Sequence, residues 1–149
     1  MTVPVFAARH ALAALDPNDA VDAVRNAFVE HAAGRWTMPP KVYVQAPPNG
    51  DFRAMPAAGA GHAVLKWVNS FPGNPELGLP TVSGIVLLSE SLTGRLLAIL
   101  DAGAVTALRT GAAAGLAAAT DRTHGRPPCE GRHGSGSARG TIDGRSPPR

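Results

Sequence analysis

Lys41-Val42-Tyr43-Val44-Gln45-Ala46-Pro47-Pro48-Asn49-Gly50-Asp51-Phe52-Arg53-Ala54-Met55 reads as a β-hairpin. Lys41–Gln45 is strand-like, Pro47-Pro48-Asn49-Gly50 turns the chain, and Asp51–Met55 returns as a second strand. Asn-Gly is a strong short-range hairpin signal because both residues tolerate the positive φ that the tight turn demands. Working outward, Ala63–Asn69 is a third strand, and Phe71–Leu79, with its two Pro and two Gly, is a loop. Thr81–Ser89 is a long apolar strand that reads as buried, Leu92-Thr93-Gly94-Arg95 turns the chain again, and Arg95–Leu100 is a further strand. Upstream, Asp16 caps a helix, Pro17 suits its first position and Asp19 its positive end, with Val21, Val24 and Phe28 on one face. That helix spans about residues 17–33 and stops at Gly34. Downstream, the Ala- and Leu-rich segment Ala104–Ala119 predicts a second helix. One helix, a run of about five strands and one helix make an α+β fold with mostly antiparallel pairing.

The charge balance divides the chain near residue 120. Residues 1–120 carry eight Lys/Arg and eight Asp/Glu, whereas residues 121–149 carry six Arg and three acids, so the net charge of +3 belongs to the tail. The tail has Cys129, Ala138 and Ile142 as its apolar residues, no aromatic residue, six Gly and four Pro. Such a segment buries too little to offset roughly 1–2 kcal/mol of chain entropy per residue, and disorder is expected. With Cys129 as the single cysteine no intrachain disulfide forms. No apolar run approaches the ~20 residues of a membrane span, and no basic-then-apolar leader opens the chain. A cytoplasmic location is expected, with no membrane partner.

The lysines are two, Lys41 and Lys66, both placed among apolar strand residues. A site for an amino or keto acid needs cations for the carboxylate and a group that moves a proton at the nitrogen-bearing carbon. Arg suits the first task because its planar fork binds two oxygens, and Lys suits the second because burial and nearby cations lower its pKa. Arg53, near the Met55-Pro56 bend, joins Lys66 and Lys41 in such a cluster if their strands lie side by side. Each has a plainer reading: a lysine stem resting on Trp67 with its head in water, or a solvated strand arginine. Arg109 is the only charge between Ala102 and Ala119, where small residues leave room for close packing; on its own it reads as a helix-surface residue. Thr106 and Thr110 read as helix-packing residues. His10, His31 and His62 have no metal-ligand spacing, and no metal is expected.

Met38-Pro39-Pro40-Lys41, Asp51-Phe52-Arg53-Ala54-Met55-Pro56, Leu65-Lys66-Trp67-Val68-Asn69 and Leu108-Arg109-Thr110-Gly111 occur in an order and spacing that resembles the ornithine cyclodeaminase/mu-crystallin family, nearest its archaeal-type alanine dehydrogenase branch. The likeness covers about residues 5–119. It implies that residues 1–119 are the partial substrate-binding and dimerisation domain, an open-sheet α/β layer completed in family members by a segment from the chain's far end. It implies that Lys66 donates and accepts the proton, that Arg53 and Lys41 hold the substrate carboxylate, and that Arg109 touches the nicotinamide cofactor or the substrate. Lys41 favours the dehydrogenase branch, since cyclodeaminases tend to carry Arg there. The implied intact enzyme oxidises a small L-amino acid, alanine, with NAD or NADP and acts as a homodimer. Ornithine cyclodeaminase and imino-acid reductase are the alternatives.

The likeness ends where family members continue into a Gly-rich pyrophosphate turn. Gly134-Ser135-Gly136-Ser137-Ala138-Arg139-Gly140 is one residue too long for that pattern, with no strand before it and no helix after. The Arg, Gly, Pro and Ser of residues 120–149 are what GC-rich codons give out of frame, so a frameshift near codon 120 is expected, with the Rossmann domain absent, no cofactor bound and no activity in this chain. A genuine nucleic-acid-binding tail is the weaker reading, because six scattered arginines come without aromatic residues. A non-catalytic fragment is the reading of another class.

Overall fold

The computed structural model describes residues 2–123. Strand β1 (Val5–Phe6) leads into helix α1 (Ala8–Ala14) and helix α2 (Pro17–Ala32). Then follow β2 (Val42–Ala46), β3 (Gly50–Gly59), β4 (His62–Ser70), β5 (Val82–Glu90) and β6 (Leu96–Asp101), and the described chain closes with α3 (Ala102–Thr123). The six strands form one sheet in the order β1-β6-β5-β4-β3-β2. Strands β2 to β6 are an antiparallel meander, and β1 joins the far edge parallel to β6. The expected α+β class and mostly antiparallel pairing stand, with β1 and α1 as additions.

Local chemistry explains most boundaries. The Asp16 carboxylate accepts the Asn18 amide at 2.7 Å, Pro17 opens α2, and Gly34 leaves it at φ 72°. Strand β3 runs past the expected Met55-Pro56 bend to Gly59. Ala58 exchanges both backbone hydrogen bonds with Thr37, on the side away from β4. By strand alternation Pro56 turns its ring nitrogen to that same side, where the β2 ladder has already ended at Val42↔Ala54. The missing donor therefore falls on an edge and costs no ladder bond. Helix α3 begins straight after β6 because the Asp101 carboxylate caps it, accepting the Ala104 amide at 2.7 Å. It continues through Thr123, past the expected boundary at 119; the expectations for the rest of the tail fall on residues 124–149, outside those described.

All three helices lie on one face of the sheet. Helix α3 rests on β4, β5 and β6, and α2 lies against α3 rather than against the strands. Val68, Val86 and Ala98 of the sheet and Ala102, Ala104 and Ala112 of α3 are the buried contacts of this layer. Small residues let the helix approach closely, but no large side chain is fully withdrawn from solvent among the described residues. The opposite face is bare. Val42, Ala54, Trp67 and Ile85 form one cross-strand row there, and Val42, Trp67 and Ile85 are 57, 38 and 41% exposed. Phe52 stacks on Trp67 at 5.6 Å and meets Phe71 edge-on at 5.3 Å. No helix of the described chain is long and apolar enough to cross a membrane.

Candidate active site

The alternation of β4 sends Lys66 to the helix-covered face, between Met55 of β3 and Val86 of β5. There its Nζ donates to Thr106 Oγ1 of α3 at 2.7 Å. Thr106 Oγ1 in turn donates to the Ala102 carbonyl at 2.5 Å, so its lone pairs are what it offers the lysine. Burial, and then the positive charge of Arg109, push the Lys66 pKa below the ordinary lysine value. A half-buried amine of lowered basicity, held by one neutral acceptor, is suited to giving and taking a proton. Arg109 lies about one helical turn beyond Thr106, is exposed, and has no carboxylate partner among the described residues.

Arg53 shares the Lys66 face, since it pairs with Val68, two residues along β4. Its head, however, leans along β3 to Asp51: Nε to Oδ1 at 2.6 Å and Nη2 to Oδ2 at 3.0 Å. Tyr43, its neighbour on β2, places a ring 5.5 Å from the guanidinium carbon. The Arg53 hydrogen bond holds the Asp51 carboxyl below the usual carboxylate range. Asp51 thus takes the Nε and Nη2 side of the Arg53 fork. Lys41 precedes β2 and is exposed. Extending the β2 register puts it level with Met55, and hence with Lys66, roughly two strand spacings or about 10 Å away.

The strands lie side by side, as the cluster requires, and Lys66, Arg53 and, by register, Lys41 share one face. On it Lys66 bonds Thr106, with Arg109 lowering its basicity, and Arg53 bonds Asp51 beside Tyr43. Thr106, read from the sequence as a helix-packing residue, instead accepts from Lys66, and Asp51 carries no expected role in the sequence reading. Asp51 was legible from spacing, because residues two apart on a strand share a face. Beyond Arg109 opens an apolar cavity of about 340 Å³ between α2, α3 and the end of β3, walled by Val24, Phe28, Trp36, Met38 and Ala57. The Trp36 ring packs against Gly59, and its buried Nε1 has no acceptor. Side-chain hydrogen bonds shape the expected Phe71–Leu79 loop and its flanks. Asn69 Oδ1 accepts from the Ser83 amide and hydroxyl at 2.9 and 2.8 Å, and Asn74 Nδ2 donates to the Pro80 carbonyl at 3.0 Å.

Residues 6–120 match the model of the ornithine cyclodeaminase/mu-crystallin family. Alanine dehydrogenase of Archaeoglobus fulgidus is 54% identical over 101 residues, covering 68% of this chain and 31% of that protein. Delta(1)-pyrroline-2-carboxylate reductase 1 of Burkholderia multivorans is 33% identical over 124 residues, covering 83% of this chain and 39% of that protein. Among solved structures, an archaeal alanine dehydrogenase dimer with bound NAD superposes with a TM-score of 0.76 at 47% identity, over 79% of this chain and 37% of that one. The chain spans about a third of the length of these relatives.

Proposed function

Because the chain belongs to the ornithine cyclodeaminase/mu-crystallin family, we propose that it is the substrate-binding and dimerisation portion of an enzyme that oxidatively deaminates a small L-amino acid, alanine, with NAD. The observation that carries this reading is Lys66: a partly buried amine of lowered basicity, 2.7 Å from Thr106 and facing two arginines on the same side of the sheet. In the proposed reaction Arg53, through Nη1, and Lys41 hold the substrate carboxylate. Neutral Lys66 takes the proton that the substrate nitrogen loses as the Cα–H bond breaks. Water then adds to the resulting imine, Lys66 returns the proton to nitrogen, and ammonia leaves with the 2-oxo acid as product. Bound nicotinamide supplies the acceptor for the hydride. Arg109 would hold a cofactor phosphate from the substrate side. The β6–α3 junction does not fit the pyrophosphate, because the Asp101 carboxylate already takes the Ala104 amide and would repel an anion. The proposed partner is a second copy of the chain, meeting the bare apolar face of the sheet.

The chain contains two lysines, so lysine-selective ¹⁵N labelling yields two Nζ signals. Pyruvate added to the 1–149 chain is expected to shift both saturably, with weaker binding in Arg53→Ala. If neither signal moves, the carboxylate site does not exist. The same chain with L-alanine and NAD is expected to give no turnover; production of NADH would mean that it carries a complete cofactor site. The similarity to the pyrroline-2-carboxylate reductase favours a second reading, reduction of a cyclic imino acid, and tighter binding of L-proline than of pyruvate or L-alanine would select it.

A further inference from the structure

We infer that Thr106 is a positioning residue for Lys66: a hydroxyl fixed as a pure acceptor, which keeps the lysine nitrogen oriented as a base towards the ligand side of the sheet. The inference rests on the proposed role of Lys66 and adds to it how that role is set. A free hydroxyl can serve a neutral amine in two ways. It can accept an N–H, or it can donate its own hydrogen to the nitrogen lone pair and so remove the base. In this fold the second option is closed. The Thr106 hydrogen goes to the Ala102 carbonyl at 2.5 Å, on the first turn of α3, and the oxygen faces Lys66 Nζ at 2.7 Å. Ala102 is buried, 3% exposed. Its place is fixed by the capped junction of Asp101 with α3, which ties the acceptor to the end of β6. One lysine N–H is thereby directed into the helix, and the lone pair of the neutral amine points elsewhere.

The surroundings leave this task to Thr106. From β3 and β5 the residues at the level of Lys66 are Met55 and Val86, and from β6 Leu100, none of which titrates. The charged groups on this face nearest Lys66 are Arg109 of α3, the mutually paired Arg53 and Asp51 of β3, and Lys41 ahead of β2, while His62 and its cross-strand partner Glu90 lie four residues away at the start of β4. Arg109, Arg53 and Lys41 are cations and offer Lys66 no acceptor, and Asp51 is held by Arg53. Among the described residues the hydrogen bond to Thr106 is the one that holds the Lys66 head.

The test reads the titration of Lys66 in the 1–149 chain without any substrate, so it stands apart from the substrate reading. The Lys66 Nζ signal, assigned by its loss in Lys66→Arg, is followed against pH in the wild type, Thr106→Val and Thr106→Ser. Valine keeps the shape and removes the acceptor, leaving the ammonium less stabilised. Its midpoint is expected to fall by about one pH unit, the scale of one hydrogen bond to a charged group. Serine keeps the hydroxyl and loses the methyl, and its midpoint is expected to match the wild type. The inference is overturned if valine leaves the midpoint unmoved, or if serine shifts it as much as valine does, which would make Thr106 a packing residue. Amide spectra of both variants check that α3 stays folded on the sheet.

Discussion

At the scale of single residues, Lys66 works against the stability of the fold that holds it. A cation taken partly out of water beside Arg109 is less favourable than the same lysine in the unfolded chain. Its folded pKa lies below its unfolded one, so between the two values the unfolded chain binds more protons, and stability rises with pH across that window. Below the folded value the penalty is present in full; above the ordinary lysine value it is gone. Lys66→Met keeps the stem and removes the charge, and it is expected to raise the melting temperature at neutral pH by a few degrees. The gain should vanish when the melts are repeated above the lysine range. A variant that melts lower at neutral pH would mean that the bond to Thr106 outweighs the burial of charge. Arg53 stands in the opposite position, because Asp51 meets its charge with two hydrogen bonds.

At the scale of elements, the meander and the two main helices were readable because their signals are local: Pro47-Pro48-Asn49 at a turn, Asp16-Pro17 at a helix start, and β-branched runs between Gly/Pro breaks; the positive-φ turn expected at Asn49-Gly50 occurs instead at Ala60-Gly61. Four features were not readable. Strand β1 is two residues long and exists through its parallel pairing with β6, almost a hundred positions away. Helix α1 has no side-chain cap and little apolar periodicity to announce it. Helix α3 is so rich in Ala and Gly around its whole circumference that no face is marked, and so nothing in the sequence turned Thr106 towards Lys66. The contact of β5 with β4 was equally hidden. A Cβ on Gly84 would lie 2.3 Å from the Trp67 carbonyl oxygen and 2.7 Å from Val68 Cα. Both are backbone atoms of the neighbouring strand and have little freedom to move. Gly84→Ala is expected to destabilise the chain by roughly 1–3 kcal/mol, the usual range for overpacking. A lower denaturant midpoint at unchanged slope would register it, and an unchanged midpoint would show that the two strands can separate locally.

At the scale of the whole molecule, the sheet is two-sided in purpose: helices and the candidate site on one face, a bare apolar surface on the other. The helix layer buries small side chains, and the exposed row of Val42, Trp67 and Ile85 is where further burial is available. The proposed pairing of two copies through this surface predicts a dimer for the 1–149 chain in sedimentation, and a folded monomer for Ile85→Glu, which sets a charge in the middle of the row. A wild-type chain that sediments as a monomer at every concentration would refute the pairing. Strand β4 carries both purposes in consecutive letters: Lys66 and Val68 turn to the site, and Trp67 turns to the bare surface. Its length is therefore locked by parity. Inserting or deleting one codon within it would turn the tryptophan to the helix-covered face and the lysine to the bare one. Residues can enter or leave β4 only by twos if its two faces are to stay as they are.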